Sequence, residues 1–233
     1  MNLFLVFVFI FFIGSTIGWI LELFFRRIYH GKWVNPGFLV GPYLPIYGFG
    51  LTIMTIVYYF FDFYYHLSPI ISIILIGLLI TMLELMGGLL FLKSGIRLWD
   101  YRDRWLNFKG VICPLFTLIW TACGAIYYLF IASHIMNALT WFSNNISFSY
   151  VLGLFSGFIF IDYLYSTNLY IKIKKYAKTN DIDIMYEKLK EHIKDVQKHA
   201  KEKYSFAFPF NQTKSLKEYL SEYKENILTR KGE

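Results

Sequence analysis

The sequence predicts an all-α integral membrane protein with five transmembrane helices, a broken segment rich in proline and glycine before the second helix, and a helical cytoplasmic tail. The 233 residues are 56% hydrophobic and only 17% charged, a composition unlike that of a soluble domain. The charges are also uneven: residues 1–171 hold eight Lys/Arg and six Asp/Glu, whereas residues 172–233 hold fifteen and ten. We therefore expect a transmembrane domain over 1–171 and a basic amphipathic cytoplasmic tail over 172–233.

Five apolar windows have about the length that a helix needs to cross a bilayer, which is about twenty residues. They cover residues 3–25, 45–61, 69–92, 110–133 and 149–171, of which the second is the shortest. The first window has no basic residue before it and no small-residue cleavage site after it. This predicts a retained first helix and not a signal peptide.

The basic residues of the loops predict the orientation. The loop after the first helix holds three Lys/Arg and the loop after the third holds five, whereas loops 62–68 and 134–148 hold none. Because loops rich in Lys and Arg stay in the cytoplasm, we expect a protein of the cell membrane with its N-terminus outside and its C-terminus in the cytoplasm.

The stretch "NPGFLVGPYLPIYGFG", residues 35–50, contains three prolines and four glycines but no charge. Backbone that is not helical at membrane depth must be buried by protein or line a wet cavity. Pro45 suits the first turn of helix two, whose free amides could then hold an anion. The alternative is a tight connection between two helices. Asn35, Tyr47 and Gly48 are the candidate ligand-binding residues of this stretch.

Two predicted helices carry a stripe of small residues that includes a glutamate, Glu22 on helix one and Glu84 on helix three. The small members are Gly14, Gly18, Gly77, Thr81 and Gly88. Small residues allow close approach, so the stripes are expected to face neighbouring helices and not lipid.

An ionisable side chain inside a bilayer costs about 2.5–3.5 kcal/mol on insertion scales and is a functional hypothesis by default. Glu84 lies deepest, whereas Glu22 could instead snorkel or pair with Arg26 at i+4. Asp162 on helix five is a third ionisable residue of the predicted helices and a candidate ligand-binding residue. Glu22 and Glu84, together with Asp100, are the candidate catalytic residues of a pocket in the cytoplasmic leaflet.

The cytoplasmic loop 93–109 mixes basic, acidic and aromatic side chains. Such a mixture is normal at the level of the lipid headgroups, so an interfacial loop is one interpretation and a lid over the pocket is the other. Its candidate ligand-binding residues are Arg97, Trp99, Tyr101 and Asn107.

The tail predicts two amphipathic helices. Apolar residues recur every three or four positions from 182 to 200, "FAFPF" interrupts the pattern at Pro209, and Ser215-x-x-Glu218 is a capping box before the second helix. These helices could lie on the anionic inner leaflet or pack against the cytoplasmic loops or a partner.

Several of these features, in order, resemble the CmpB-like family of ABC-transporter type IV permeases, to which small vertebrate multi-pass proteins of unknown function are also similar. The resemblance covers roughly residues 13–125 and rests on Glu22, the proline–glycine stretch, Glu84, "WDY" at 99–101, Asn107 and the run from Gly110 through Cys113 to Trp120. Pro36 stands where the family pattern leads us to expect a basic residue. The resemblance implies a permease subunit driven by a separate ATPase, with loop 93–109 as its docking element and two chains per complex.

Two other classes of function fit the same residues. The protein could be a membrane enzyme or a lipid-headgroup-binding protein that uses Glu22 and Glu84 as acid/base groups, or a structural or regulatory subunit whose tail recruits partners. The sequence has no P-loop or other nucleotide-binding motif, and its five histidines are scattered. We therefore expect membrane lipids as partners, with no cofactor, no metal site and no nucleic acid.

Overall fold

The computed structural model describes residues 3–31, 33–65, 68–199 and 215–231, and these residues form an all-α protein as predicted. Two short π-helical segments, Tyr58–Tyr64 and Tyr127–Ile131, continue α2 and join α4 to α5. Two strands of two residues each, β1 (Ile96–Arg97) and β2 (Ile184–Met185), pair in parallel. The helices are α1 (Leu3–His30), α2 (Pro45–Val57), α3 (Pro69–Leu92), α4 (Pro114–Ile126), α5 (Ala132–Asn144), α6 (Ser149–Asn180), α7 (Tyr186–His199) and α8 (Leu216–Lys231).

Four helical stretches are long and apolar enough to cross a membrane: Leu3–Ile28, Pro69–Leu92, Pro114–Asn144 and Ile146–Asn180. The stretch Pro45–Phe61 is apolar but shorter. The class of the protein is therefore an all-α membrane protein, and the count of five spans stays a prediction.

The helices from α4 to α6 differ from the predicted windows at their ends. The predicted window 110–133 begins only at Pro114, because Gly110 has a positive φ of 70° and belongs to the preceding loop. Beyond 133 the helix continues through most of the predicted loop to Asn144. Helix α6 runs to Asn180, so the expected boundary between the two regions at 171/172 falls inside a helix, and the domain division stays a prediction.

The stripes of small residues face neighbouring helices, as predicted. A Cβ atom added to Gly14 would lie 2.8 Å from the Cβ of Leu51 on α2, and one added to Gly77 would lie 2.9 Å from the Cβ of Thr121 on α4. Glycine is therefore what lets α1 approach α2, and α3 approach α4.

The broken segment before α2 is buried by protein. Helix α2 begins at Pro45, as predicted, and the preceding amide of Leu44 donates a hydrogen bond to the Ser15 carbonyl of α1 at 2.9 Å. Side chains along the segment are buried, including Leu39, Val40 and Tyr43. Non-helical backbone beside the apolar helices is thus covered by other parts of the chain, which satisfies the requirement that it not meet lipid.

The tail packs on the end of the bundle where α1 and α3 end and α2 and α4 begin, here called the basic end. Its buried apolar residues form one core with β1 and the last turns of α6. The core comprises Ile96, Ile173, Ala177, Ile184, Tyr186, Leu189, Ile193, Tyr219, Leu220 and Tyr223. Of the two interpretations of the tail, the structure therefore shows the one in which its apolar face packs against the chain itself.

The first tail helix begins later than predicted, whereas the second begins where its capping box predicts. Helix α7 starts at Tyr186, later than the periodic pattern suggested, because β2 occupies the preceding residues. The capping box before α8 is present: the Ser215 amide donates to the Glu218 carboxylate at 3.1 Å, and the Glu218 amide donates to the Ser215 hydroxyl at 3.4 Å. The predicted break at Pro209 lies outside the described residues.

Candidate functional site

The Glu84 carboxylate on α3 is buried, with 5% of the residue exposed, and both of its oxygens accept hydrogen bonds. The Tyr101 hydroxyl donates to Oε1 at 2.8 Å, and the Trp120 indole N–H of α4 donates to Oε2 at 3.1 Å. Both donors are uncharged. The buried carboxylate is therefore satisfied by neutral dipoles, which offset the cost of removing it from water.

Tyr101 is held beside Glu84 by the fold of the loop between α3 and α4. The Tyr101 amide donates to the Gly110 carbonyl at 2.9 Å, and its ring stacks on Phe116 with 4.1 Å between centroids. Burial and the neighbouring Glu84 carboxylate raise the pKa of the Tyr101 hydroxyl above its ordinary value. The hydroxyl thus stays protonated and serves as a donor.

Glu22, the second carboxylate, lies at the basic end of α1. Its Oε1 accepts from the Arg26 guanidinium at 3.0 Å, and its Oε2 accepts from the Tyr47 hydroxyl of α2 at 2.8 Å. Arg26 also forms an ion pair with Glu187 of α7. The i+4 pairing considered for Glu22 is therefore present, and it forms part of a larger network that includes the tail.

An aromatic contact joins the two carboxylates. The Tyr47 ring meets the Trp120 ring edge-on, with 6.3 Å between centroids and an interplanar angle of 80°. Glu22, Tyr47, Trp120, Glu84 and Tyr101 thus form one connected set, here called the carboxylate cluster. It brings two carboxylates and two phenol hydroxyls together, which are groups able to exchange protons or to bind a polar ligand.

Asp162 and Asn35 hold the broken segment. Asp162 accepts hydrogen bonds from the amides of Val40 at 3.1 Å and Gly41 at 2.7 Å. The Asn35 side chain accepts from the Trp19 indole at 2.6 Å and donates to the Val40 carbonyl at 2.5 Å. Their polar atoms are thus bonded to the backbone of this segment and to α1.

Gly48 and Trp99 are close-packing residues in the structure. A Cβ atom on Gly48 would lie 2.6 Å from the Phe11 carbonyl oxygen of α1. The Trp99 indole donates to the Val111 carbonyl at 2.9 Å and lies against Gly88 of α3. Gly48 therefore brings α2 close to α1, and Trp99 holds the loop against α3.

Asp100 is bonded within the same loop. Although its burial acts in the opposite direction, hydrogen bonds from the Arg102 guanidinium hold the pKa of Asp100 below its ordinary value. Asn107 donates from its side chain to the carbonyls of Arg102 and Arg104, at 3.0 and 2.9 Å. These two candidates therefore shape the loop.

Arg97, the remaining loop candidate, joins the loop to the tail. Its guanidinium donates to the Asp183 carboxylate at 3.3 Å and to the Lys109 carbonyl at 3.1 Å. Asp183 directly precedes β2, so this ion pair lies beside the β1–β2 pairing. Arg97 therefore helps to attach the tail to the loop that carries Tyr101.

Lys190 of α7 is an interior residue that the sequence analysis did not identify. Its ammonium donates to the carbonyls of Asn35 at 3.0 Å and Gly37 at 2.7 Å, and it lies 4.8 Å from the centroid of the Tyr186 ring. Burial lowers its pKa to about 7. A lysine in a basic tail looks solvent-exposed in the sequence, and no pattern marks this one as buried.

Trp120 was also missed as a site residue, although it belongs to the run that carries the family resemblance. Its neighbours Thr117 and Thr121 belong to the face of α4 that packs on α3, where Thr81 donates to the Thr117 hydroxyl at 3.2 Å and Thr121 packs against Gly77. Because Trp120 is next to Thr121 and three residues after Thr117, the sequence could have placed it near the face of α4 that meets other helices.

Comparison with known proteins gives one match. A family model described as "Putative ABC-transporter type IV" (ABC_trans_CmpB) matches residues 9–167, which is more than half of the chain. The match includes all five members of the carboxylate cluster and ends before the tail. No curated protein and no solved structure matches the chain.

Proposed function

Because the chain belongs to the ABC_trans_CmpB family, which is described as "Putative ABC-transporter type IV", we propose that it is the multi-pass permease subunit of an ATP-driven transporter in the cell membrane. Family membership is the observation that carries this proposal. The four long apolar helices support it, since a permease must cross the bilayer. In this proposal the N-terminus lies outside and the basic end faces the cytoplasm, as the Lys/Arg distribution favours.

The carboxylate cluster is the proposed polar pocket of this permease. Glu84 supports the assignment because an ionisable side chain in the interior of a membrane protein is energetically costly. Such residues commonly mark functional sites. Glu22 and Tyr47 connect it to the basic end, and Tyr101 connects it to the loop between α3 and α4. A movement of that loop would change the hydrogen bonds of Glu84 directly.

In this proposal the energy for transport comes from another chain. The sequence contains no P-loop, so a separate ATPase subunit is the proposed partner. Such a subunit is soluble and would meet the permease at the basic end, where the tail and the loop between α3 and α4 lie together. In this proposal two copies of the chain associate, so that one complex has twice the number of membrane-spanning helices of a single chain.

The test is purification of the intact chain from its native membranes, with the associated proteins identified by mass spectrometry. We expect an ATP-binding subunit in stoichiometric amount and ATP hydrolysis by the reconstituted complex. Glu84→Gln should abolish the substrate-stimulated part of that hydrolysis. The control is Gly153→Ala in α6, where an added Cβ atom would meet nothing within 4 Å, and which should leave hydrolysis intact.

Purification of the chain without any ATPase, after cross-linking in the native membrane, would contradict the proposal. It would favour a membrane enzyme or lipid-headgroup-binding protein, since Glu22 and Glu84 each hydrogen-bond to a phenol hydroxyl and could act as acid/base groups. Bound lipid in the purified sample would then support that alternative. Co-purification with a membrane protein that is not an ATPase would instead indicate a structural or regulatory subunit.

A further inference from the structure

The loop between α3 and α4 ends in an exposed tip, residues 102–109, with an unusual surface. Trp105 is 80% exposed, Leu106 65% and Phe108 50%. The exposed cations Arg102, Arg104 and Lys109 flank these three side chains in the sequence, with Asp103 as the one acid of the tip. This surface combines large apolar groups with a net positive charge.

The tip has a defined backbone, although its apolar side chains are exposed. The Asn107 side chain donates to two carbonyls within the tip and accepts from the Gly110 amide at 3.0 Å. Leu106 and Lys109 adopt positive φ angles of 50° and 54°. Such a conformation is strained for a residue other than glycine, and strain of this kind occurs at functional sites.

The loop folds back along α3 and does not extend straight away from its end. Tyr101 bonds to Glu84, which lies about 12 Å along the helix axis before the last residue of α3, Leu92. Trp99 lies against Gly88 in the same turns. With 24 residues α3 is about 36 Å long, longer than the hydrocarbon core of about 30 Å. A helix of this length extends past the hydrocarbon core, and the tip lies beside its last turns, since Tyr101 bonds to Glu84 and Val111 lies against Gly88.

We propose that residues 102–109 form a lipid-inserting loop that binds anionic lipid. Trp105, Leu106 and Phe108 enter the outer acyl-chain region, where aromatic side chains are favoured. Arg104 and Lys109 bind headgroup phosphates, because an anionic membrane surface attracts basic side chains that lie close to it. The inference needs only the membrane class of the protein, and it holds whether or not the protein is an ATP-driven permease.

Charge and position favour lipid over a soluble partner. A cationic rim complements anionic headgroups, and a tip beside the last turns of a spanning helix meets lipid before it meets a soluble protein. Because Tyr101 directly precedes the tip, insertion would also fix the donor to Glu84. Lipid binding would thereby position a residue of the carboxylate cluster.

The experiment measures the depth of the tip by spin labelling of the full-length chain. In a background with Cys113→Ala and Cys123→Ala, a nitroxide is attached at Trp105→Cys or at the control position Asp103→Cys. Each protein is reconstituted into phosphatidylcholine vesicles with or without phosphatidylglycerol. We expect the ratio of oxygen to nickel-chelate accessibility to be severalfold higher at 105 than at 103, and to rise further with phosphatidylglycerol.

Further variants separate the possible outcomes. Arg104→Gln with Lys109→Gln should remove the response to phosphatidylglycerol while leaving the label at 105 in contact with lipid. Equal, water-like accessibility at 103 and 105 in both vesicles would overturn the proposal. Protection of position 105 only after addition of an ATPase subunit would also overturn it, and would identify the tip as a protein-docking element. Elution of each labelled protein at the position of the unlabelled chain confirms that it is folded.

Discussion

The Nζ atom of Lys190 lies 2.7 Å from the carbonyl oxygen of Gly37, so that a tail helix bonds to backbone 153 residues earlier in the chain. The same ammonium donates to the Asn35 carbonyl. Asp162 of α6 accepts a hydrogen bond from the Gly41 amide of the same segment. The broken segment is therefore fixed from two sides, by α6 and by α7. The conformation of residues 35–50 thus depends on contacts with α6 and α7, which lie far away in the sequence.

We predict that docking of the tail strengthens as the pH rises from about 7 towards 10. Burial lowers the pKa of Lys190 to about 7 when α7 is docked, whereas an undocked lysine keeps its ordinary value of 10.5. Between these values the docked state binds fewer protons, so raising the pH favours it, and below about pH 7 this gain is lost. Spin-label distances between Lys93→Cys and Lys217→Cys, both exposed positions, measure the docked fraction.

The charged neighbours of Lys190 act in both directions. Arg26 lowers its pKa, whereas Glu187 and Asp162 raise it. Lys190→Met keeps an apolar stem without the titrating group and should remove the pH dependence between 7 and 10. A pH profile unchanged by Lys190→Met would show that another group is responsible.

We predict that Glu84→Gln preserves folding and abolishes function. The glutamine oxygen can accept from Trp120 while its amide donates to the Tyr101 oxygen, because a phenol hydroxyl both donates and accepts. Glu84→Leu instead leaves two buried donors unpaired and should cost about 1–3 kcal/mol of stability. Thermal unfolding in detergent and substrate-stimulated ATP turnover measure the two effects. Full turnover by the glutamine variant would exclude a role for the charge.

We predict that Gly18→Ala separates α1 from α2, whereas Gly153→Ala is tolerated. An added Cβ at Gly18 would lie 2.2 Å from the Cβ of Tyr47, while at Gly153 it meets nothing within 4 Å. Overpacking of this kind typically costs about 1–3 kcal/mol, and it would displace the Tyr47 hydroxyl from Glu22. Thermal unfolding of the two variants side by side tests this, and equal melting temperatures would contradict the observed packing of α1 on α2.

We predict that cysteines placed at Ser68 and Asn144 react with a membrane-impermeant maleimide added to intact cells. Both positions are exposed, at the end of the bundle opposite the basic end. With Cys113 and Cys123 replaced by alanine, Lys217→Cys in the tail should react only after the cells are opened. The reverse pattern would invert the orientation that the positive charges of the loops predict.

The sequence predicted most of what depends on local periodicity. Small residues at steps of three or four marked the faces of α1 and α3 that meet other helices, and Pro45 marked the start of α2. The capping box before α8 was predicted from Ser215 and Glu218 alone. Each of these features is determined by residues within one or two helical turns.

Contacts between distant parts of the chain could not be predicted in this way. The ion pair of Arg26 with Glu187 and the burial of Lys190 depend on the tail returning to the end of α1. The hydrophobic periodicity does not predict these contacts, because a charged residue looks the same in the sequence whether its side chain meets water or a buried carbonyl group. The link through Trp120 likewise required knowing which face of α4 meets α2 and α3.

The pairing of Ile96 with Ile184 has a consequence for the order in which the protein matures. A ribosome completes α3 and α4, and with them Glu84 and Tyr101, long before it reaches the strand that fastens their connecting loop. Until β2 has emerged from the ribosome, that loop lacks its parallel partner strand. The loop that supplies the Tyr101 donor to Glu84 is thus made early, and it is fastened to the rest of the protein only after the ribosome has reached the tail.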